Sequence, residues 1–231
     1  MLEQEAPIIK MLHAHFDLEI TRRELVNWRG AISEVAGAEF DLFHNHKPDG
    51  SFIYRYPRIQ YRRFRNKAAL LAINEGIDQL QSFLASREWV IRWKDEERQL
   101  KIEEIYPKQR RLLKTEDFHN YQILNWIALN QENYIEWKSL PGMVERIQYL
   151  EKILANNIIA LAKGLSWTIP SKFKLQITNM DEGHKIYHKG TPLIAFDVTF
   201  RVDLMLADYL ALGKAVSHGF GIFSRVKRSY F

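Results

Sequence analysis

The first forty residues change from a strand-like to a helix-like spacing of hydrophobic positions. Over residues 8–20 apolar and polar side chains alternate, which is typical of a strand with one buried face. From Thr21 the apolar positions recur at steps of three and four as far as Val35, and Gly37 follows where a helix would end. Thr21 and Glu24 also have capping-box spacing. The pattern predicts a strand followed by a helix that packs back on it.

The rest of the first half predicts one more helix and several strands. In order, these are extended structure over residues 40–47 and 51–64, a short buried strand over 68–73, a helix capped by Asn74, and strands near 89–93 and 100–106. The resulting order is strand, helix, strand, strand, helix, strand. An extra hairpin is expected near residues 50–64.

The second half repeats this order of elements. Its predicted pieces are a strand near residues 121–129, a helix over 143–163 that ends at Gly164, a strand over 173–177 with a hairpin partner ending at Val202, a short helix from Asp203 to Leu212 and a last strand over 220–226. Two tandem βαββαβ units are the simplest interpretation, so we predict an α+β fold of two ferredoxin-like (RRM-like) modules with antiparallel sheets. The modules are expected to span residues 1–115 and 116–231.

Composition excludes several classes of protein. With 231 residues, 46% of them hydrophobic and no cysteine, the chain is neither disordered nor held by disulfides, and it has no thiolate metal site. No apolar run approaches the roughly 20 residues that span a bilayer, and no signal pattern is present. We therefore expect a soluble, cytoplasmic protein without membrane contact. The net charge of +5 is modest, so the distribution of charge matters more than its total.

A basic and aromatic run over residues 54–67 is the clearest electrostatic feature. It contains no acidic residue, and its six cations are Arg55, Arg58, Arg62, Arg63, Arg65 and Lys67. Arginines interleaved with aromatic rings suit a phosphate backbone with unstacked bases. The alternative is a solvated strand whose arginines pair with acidic residues elsewhere. Further basic clusters lie over residues 108–114 and at the C-terminus, where Arg225 and Lys227 share a strand face.

The most specific motif is a glycine-rich loop over residues 213–221, ahead of the last predicted strand. Its candidate anion-binding residues are Gly213, Lys214, Ser217, His218, Gly219 and Gly221. Glycines allow backbone N–H groups to approach an anion and permit positive φ. The loop matches neither a Walker loop nor a dinucleotide fingerprint. Both of those lead into a helix, whereas this loop leads into a predicted strand. The alternative is a glycine-rich connection packed against the neighbouring module.

This loop resembles a known family signature. A C-terminal Gly-x5-Gly-aromatic-Gly loop before the final strand of a tandem ferredoxin-like chain is similar to that of the RAMP superfamily, in particular the CRISPR-associated endoribonucleases that cut repeat RNA into guide units. Ala211 stands where the family loop usually begins with another glycine. The segment from Tyr56 to Tyr61 also resembles part of some members. The resemblance implies CRISPR repeat RNA, single-stranded or hairpin, as partner and no cofactor, and it leaves room for other CRISPR-associated proteins and a homodimer.

The resemblance also implies a catalytic histidine near the end of the first helix. His44 and His46 lie there, with Lys47 beside them. Attack of a ribose 2′-OH on the adjacent phosphate needs a base, an acid for the 5′-oxygen and a cation for the phosphorane, and imidazole and lysine supply these. Such a reaction needs no metal and gives a 2′,3′-cyclic phosphate and a 5′-hydroxyl. His13 and His15, on the polar face of the first strand, are the reserve candidates.

We therefore predict a metal-independent endoribonuclease that cleaves CRISPR repeat RNA. One alternative is a non-catalytic RNA-binding subunit of a CRISPR interference complex. Another is a ferredoxin-like metabolic enzyme or regulator that binds a small phosphorylated ligand in the glycine-rich loop. The preferred interpretation requires that this loop and the basic run over residues 54–67 meet as a single surface.

Overall fold

The chain forms two compact units. The computed structural model describes residues 6–44, 56–85, 89–188 and 190–226. The N-terminal unit comprises Ile9–Arg110 together with Ser217–Gly219, and the C-terminal unit comprises Met1–Ile8, Arg111–Val216 and Phe220–Phe231. In the part of the chain that is described, no helix has both the length and the apolar character needed to cross a membrane.

The N-terminal unit has the strand order of a ferredoxin-like module. Its elements are β1 (Ile8–Glu19), α1 (Leu25–Ala36), β2 (Ile59–Phe64), β3 (Lys67–Ile73), α2 (Gly76–Ala85), β4 (Val90–Trp93), β5 (Glu96–Gln99) and β6 (Ile102–Arg111). The main sheet has the order β2-β3-β1-β6, and β3 pairs antiparallel with both β1 and β2. Both helices contribute to one buried apolar cluster on this sheet, with Trp28 from α1 and Phe83 from α2.

The start of α1 follows the predicted capping box. The Thr21 N–H donates to Glu24 Oε2 at 2.7 Å, and a 3₁₀ turn over Arg22–Glu24 leads into the helix. Trp28 fixes the helix to the sheet, because its Nε1–H donates to the Ala69 carbonyl of β3 at 3.1 Å. The helix ends at Gly37, whose φ of 63° few other residues adopt.

Three local predictions in this unit were wrong. The strand β1 is buried on both faces rather than one, since His13 is 8% and His15 is 6% exposed. Asp41–Phe43 forms a 3₁₀ turn instead of extended chain. Asn74 is not the N-cap of α2, because the helix begins two residues later at Gly76, and the Asn74 Oδ1 accepts the Lys10 N–H at 3.0 Å. The hairpin expected near residues 50–64 lies partly outside the described residues, and β4 pairs with β5 as a separate two-stranded sheet.

The C-terminal unit repeats the strand order but not the second helix. Its elements are β7 (Leu113–Trp126), α3 (Gln131–Ser139), α4 (Met143–Gly164), β8 (Leu175–Met180), β9 (His184–His188), β10 (Thr191–Met205) and β11 (Ile222–Arg225). The sheet order is β11-β7-β10-β8, with antiparallel pairing throughout and β9 beside β10. The predicted α+β class with antiparallel sheets is confirmed.

The short helix predicted from Asp203 was wrong. Asp203 belongs to β10, where its carboxylate accepts the Lys174 N–H at 2.8 Å and pairs with Lys114 Nζ at 2.7 Å. The chain after β10 makes strand-like main-chain contacts instead: the Tyr209 N–H donates to the Phe223 carbonyl, and the Phe223 N–H donates to Leu210. The glycine-rich loop therefore occupies the place that a second helix has in an ordinary βαββαβ module.

Candidate functional site

Both ends of the glycine-rich loop are fixed to the end of β7. The Lys214 N–H donates to the Ile127 carbonyl at 3.1 Å, and the Gly221 N–H donates to the Asn125 carbonyl at 3.2 Å. Gly213 has a φ of +91° and Gly221 one of +65°, and a Cβ at Gly221 would overlap the Leu212 carbonyl. These glycines are required for the path of the loop. Two of the amides that we expected to be available to an anion, those of Lys214 and Gly221, bind protein carbonyls instead.

The middle of the loop, Ser217–Gly219, belongs to the N-terminal unit. His218 is 5% exposed, and its Nε2 accepts from Arg29 Nη1 of α1 at 3.0 Å, because a guanidinium can only donate. A Cβ at Gly219 would lie 3.4 Å from the Tyr61 carbonyl of β2. Gly219 thus lies beside the main chain of β2, the strand that contains part of the basic run, while His218 and the buried Ser217 have protein neighbours.

The basic run divides into buried and exposed members. Arg58 forms an ion pair with Glu75 and Lys67 one with Glu103, so the alternative of pairing with distant acidic residues applies to these two. Arg62 is 6% exposed, and burial lowers its pKa to about 10.

The remaining members of the run differ in exposure. Arg63 is half-buried and its Nε donates to the Ile20 carbonyl at 2.6 Å. Arg65 is exposed and its guanidinium lies 5.3 Å from the centre of the Phe64 ring. Arg55 lies outside the described residues. Exposed charge in the described part of this run is therefore concentrated at its C-terminal end.

His44 directly follows the 3₁₀ turn Asp41–Phe43. Its Nε2 donates to the Gly37 carbonyl at 2.8 Å, because a carbonyl oxygen only accepts. In the neutral ring this places the proton on Nε2 and leaves the lone pair on Nδ1. The turn is also fixed by α2, since the Leu42 N–H donates to Gln79 Oε1 at 3.0 Å. His46 and Lys47, the other candidate catalytic residues, lie outside the described residues.

The reserve histidines of β1 lie among aromatic rings. The His13 ring stacks on Tyr106 with ring centres 4.6 Å apart, and burial lowers the pKa of His13 to about 3, with a smaller contribution from Lys108. His15 Nδ1 lies 3.2 Å from Glu104 Oε2, and burial lowers the pKa of His15 as well. Both rings are therefore buried groups that favour the neutral form, which suits a packing role better than contact with RNA.

Sequence reasoning missed a histidine contact in the C-terminal unit. Arg225, the exposed residue at the end of β11, donates to His119 Nδ1 of β7, and His119 Nε2 lies 3.0 Å from Thr115 Oγ1. Burial and the Arg225 charge lower the pKa of His119. The period-two alternation of β7 was the signal that could have placed His119 on the sheet. Lys227 lies outside the described residues.

A second histidine of the C-terminal unit, His184, is held by two side chains of the same unit. His184 Nδ1 lies 2.9 Å from Asp181 Oδ2, and its Nε2 lies 3.2 Å from Asn125 Oδ1. Both ring nitrogens of His184 are thus occupied by neighbouring side chains. Among the residues that the structure describes, no three His, Asp or Glu side chains are grouped as a metal site.

Comparison with known sequences identifies both halves of the chain. Residues 7–111 match the Cas6b N-terminal domain and residues 113–226 match the Cas6b C-terminal domain. An uncharacterized protein of Methanocaldococcus jannaschii is 35% identical over 113 residues, which are 48% of this chain and 76% of that protein. The two domain matches confirm the predicted family resemblance.

Solved structures with the same fold carry related names. A crystal structure of Cas6b is 24% identical with a TM-score of 0.83, and it covers 95% of this chain and 100% of its own. A crystal structure of the CRISPR RNA processing endoribonuclease Cas6b is 23% identical with a TM-score of 0.73 and the same coverage. The type IV Cas6 crRNA endonuclease Csf5 is 11% identical with a TM-score of 0.57, covering 96% and 100%. These likenesses establish the tandem ferredoxin-like fold.

Proposed function

This chain belongs to the Cas6b family, and we propose that it is an endoribonuclease that processes CRISPR RNA. The observation that supports the proposal most strongly is that matches to the two Cas6b domains together extend from residue 7 to residue 226. A solved relative of the same fold is named as a CRISPR RNA processing endoribonuclease. The position of His44, on a fixed turn after α1, supports the same proposal because it supplies an imidazole with a defined tautomer.

The proposed reaction is a transesterification that needs no metal. His44 Nε2–H donates to the Gly37 carbonyl, so the lone pair of the neutral ring is on Nδ1. Nδ1 takes the proton of the ribose 2′-OH. The 2′-oxygen forms a bond to phosphorus while the bond from phosphorus to the 5′-oxygen breaks. His46, as imidazolium, gives its proton to the leaving 5′-oxygen, and Lys47 stabilises the phosphorane charge. The products are a 2′,3′-cyclic phosphate and a 5′-hydroxyl.

The proposed RNA contacts use the exposed cations of each unit. In the N-terminal unit Arg65 and the adjacent Phe64 offer a charge for phosphate and a ring for a base. In the C-terminal unit the contacts are Lys214 of the glycine-rich loop and Arg225 of β11. We give Arg58 and Arg62 a structural part instead, because they are buried and bound to protein groups.

Cleavage of the cognate repeat RNA in excess EDTA tests the proposed function. We expect cleavage to persist, to stop when the nucleotide before the scissile phosphate is 2′-deoxy, and to leave a cyclic phosphate end. His44→Ala and His46→Ala should each slow single-turnover cleavage by roughly 10²- to 10⁴-fold. His184→Ala is the matched control, because both ring nitrogens of His184 are bound to side chains of Asp181 and Asn125.

The outcomes separate the function from its site. RNA binding with no cleavage under any condition would contradict the enzyme and leave a non-catalytic RNA-binding subunit. Full activity in the double variant His44→Ala and His46→Ala would contradict the catalytic assignment alone. Activity that disappears in EDTA and returns with a divalent ion would contradict the metal-free chemistry.

A further inference from the structure

A buried tyrosine hydroxyl binds the main chain immediately before His44. Tyr61 lies on β2, is 1% exposed, and packs in the apolar cluster beneath the helices. Its OH donates to the Phe43 carbonyl at 2.9 Å. Phe43 itself is 1% exposed, so its carbonyl is held away from solvent. The turn that ends at His44 is therefore attached to the sheet through one hydroxyl.

Ser33 of α1 completes this contact. Ser33 Oγ lies 3.0 Å from Tyr61 OH and 3.5 Å from the Phe43 carbonyl oxygen, so the hydroxyls of both residues reach the same carbonyl. Gly37 lies one helical turn further along, and its carbonyl accepts from His44 Nε2 at 2.8 Å. The last turn of α1 thus fixes the main chain before His44 through Tyr61 and the imidazole ring through Gly37.

The donor role of Tyr61 is stable over the pH range in which histidine titrates. Burial raises the pKa of Tyr61 to about 12, so its hydroxyl keeps its proton when nearby imidazoles gain or lose theirs. Arg29, one turn before Ser33, has its guanidinium 5.9 Å from the centre of the Tyr61 ring and donates to His218 of the glycine-rich loop. The same face of α1 therefore contacts the loop and supports the His44 turn.

We propose that Tyr61 and Ser33 are positioning residues that fix the chain at Phe43 so that His44 keeps its Nε2–H donated to Gly37 and its Nδ1 ready to accept a proton. The inference rests on the proposed function, in which His44 Nδ1 accepts the proton of the ribose 2′-OH. Neither side chain needs to touch RNA, since Tyr61 is buried and acts through a main-chain carbonyl.

The variants Tyr61→Phe and Ser33→Ala remove the hydroxyls while keeping the ring or the helix. We expect Tyr61→Phe to lower the single-turnover cleavage rate by about 10- to 100-fold, the scale of a misplaced catalytic group, with RNA affinity unchanged. The double variant should be at least as slow as Tyr61→Phe, because it also removes the Ser33 hydroxyl that lies within 3.5 Å of the Phe43 carbonyl. A ¹⁵N spectrum of the histidine rings, with the His44 signals identified from His44→Ala, should show both neutral tautomers of His44 in Tyr61→Phe.

Tyr121→Phe is the matched control. Tyr121 is also fully buried, and its hydroxyl accepts the Leu206 N–H at 2.8 Å in the C-terminal unit. It should lose a similar amount of thermal stability while leaving the His44 ring signals unchanged. A His44 spectrum that is the same in Tyr61→Phe as in the wild type would overturn the proposal, and so would the same change in Tyr121→Phe.

The two proposals fail in different ways. If His44→Ala retains full cleavage while Tyr61→Phe still alters the His44 ring signals, the catalytic assignment is wrong and the positioning contact is correct. If His44→Ala abolishes cleavage while Tyr61→Phe leaves both the rate and the ring signals unchanged, the positioning proposal alone is wrong.

Discussion

Gly221→Ala is predicted to damage the glycine-rich loop through its backbone. Gly221 has a φ of +65°, and a Cβ at this position would overlap the Leu212 carbonyl, which belongs to the main chain and has little freedom to move away. The alanine therefore meets two obstacles, an unfavourable dihedral angle and a steric overlap. Either the chain shifts locally or the contacts on both sides of Gly221 break.

The expected cost follows from these contacts. The left-handed conformation costs an alanine about 1–2 kcal/mol. A shift of the chain would also weaken the hydrogen bonds from the Gly221 N–H to Asn125 and from the Leu212 N–H to Gly221, at 3.2 and 2.9 Å. Each such bond contributes about 0.5–1.5 kcal/mol. We expect the free energy of unfolding to fall by about 2–5 kcal/mol in total.

Gly30→Ala is the matched control for this change. Gly30 is exposed on α1 and has no atom within 4 Å of where a Cβ would lie. Alanine is favoured over glycine inside a helix by about 0.5–1 kcal/mol, so this variant should be slightly more stable than the wild type. The same chemical substitution is thus predicted to act in opposite directions at the two positions.

Urea unfolding of both variants, with hydrogen exchange of the Leu212 and Gly221 amides, measures the effect. We expect faster exchange of both amides in Gly221→Ala and weaker binding of repeat RNA, because Lys214 lies on the same loop. Equal stability of Gly221→Ala and the wild type, with unchanged exchange, would refute the argument from backbone geometry.

Two further predictions concern charged and titratable groups. Because burial lowers the pKa of His13 from 6.5 to about 3, the unfolded chain gains a proton below pH 6.5 that the folded chain does not. Stability should therefore fall by about 2.5 kcal/mol more between pH 6.5 and 4.5 in the wild type than in His13→Gln, measured by urea unfolding, and equal losses would contradict this. Arg65→Ala should weaken RNA binding and reduce the slope of log affinity against log salt by about 1. The exposed Arg22 serves as its control, and an equal effect of Arg22→Ala on the slope would show that the contact is non-specific.

Periodicity predicted most of the fold because it depends on local spacing. The capping residues of α1 and the long apolar stripe of α4 appear directly in the sequence, and the structure confirms both elements. The polar α3 was missed because it buries only Trp137, although Asn130 caps it by accepting the Asn133 N–H at 2.7 Å. A helix with so little apolar periodicity is visible only through its cap.

The candidate site was less predictable because long-range partners decide it. Asp203 resembles a helix cap in sequence, yet Lys114 and Lys174, which are distant along the chain, place it inside a strand. The partner of Arg58 is Glu75, which the run over residues 54–67 does not contain. Alternation also failed to show that the polar face of β1 is buried, because a pattern of period two does not report what covers a face.

The three residues Ser217–Gly219 give the molecule an unusual order of assembly. During synthesis, α1 and β2 leave the ribosome long before the segment that lies against them. Arg29 and Leu25 can therefore contact His218 and Gly219 only after more than half of the chain has been made. Contacts across such a long sequence separation slow folding. A fragment that ends with β6 would lack this last piece, and the N-terminal unit is complete only when the second has almost been translated.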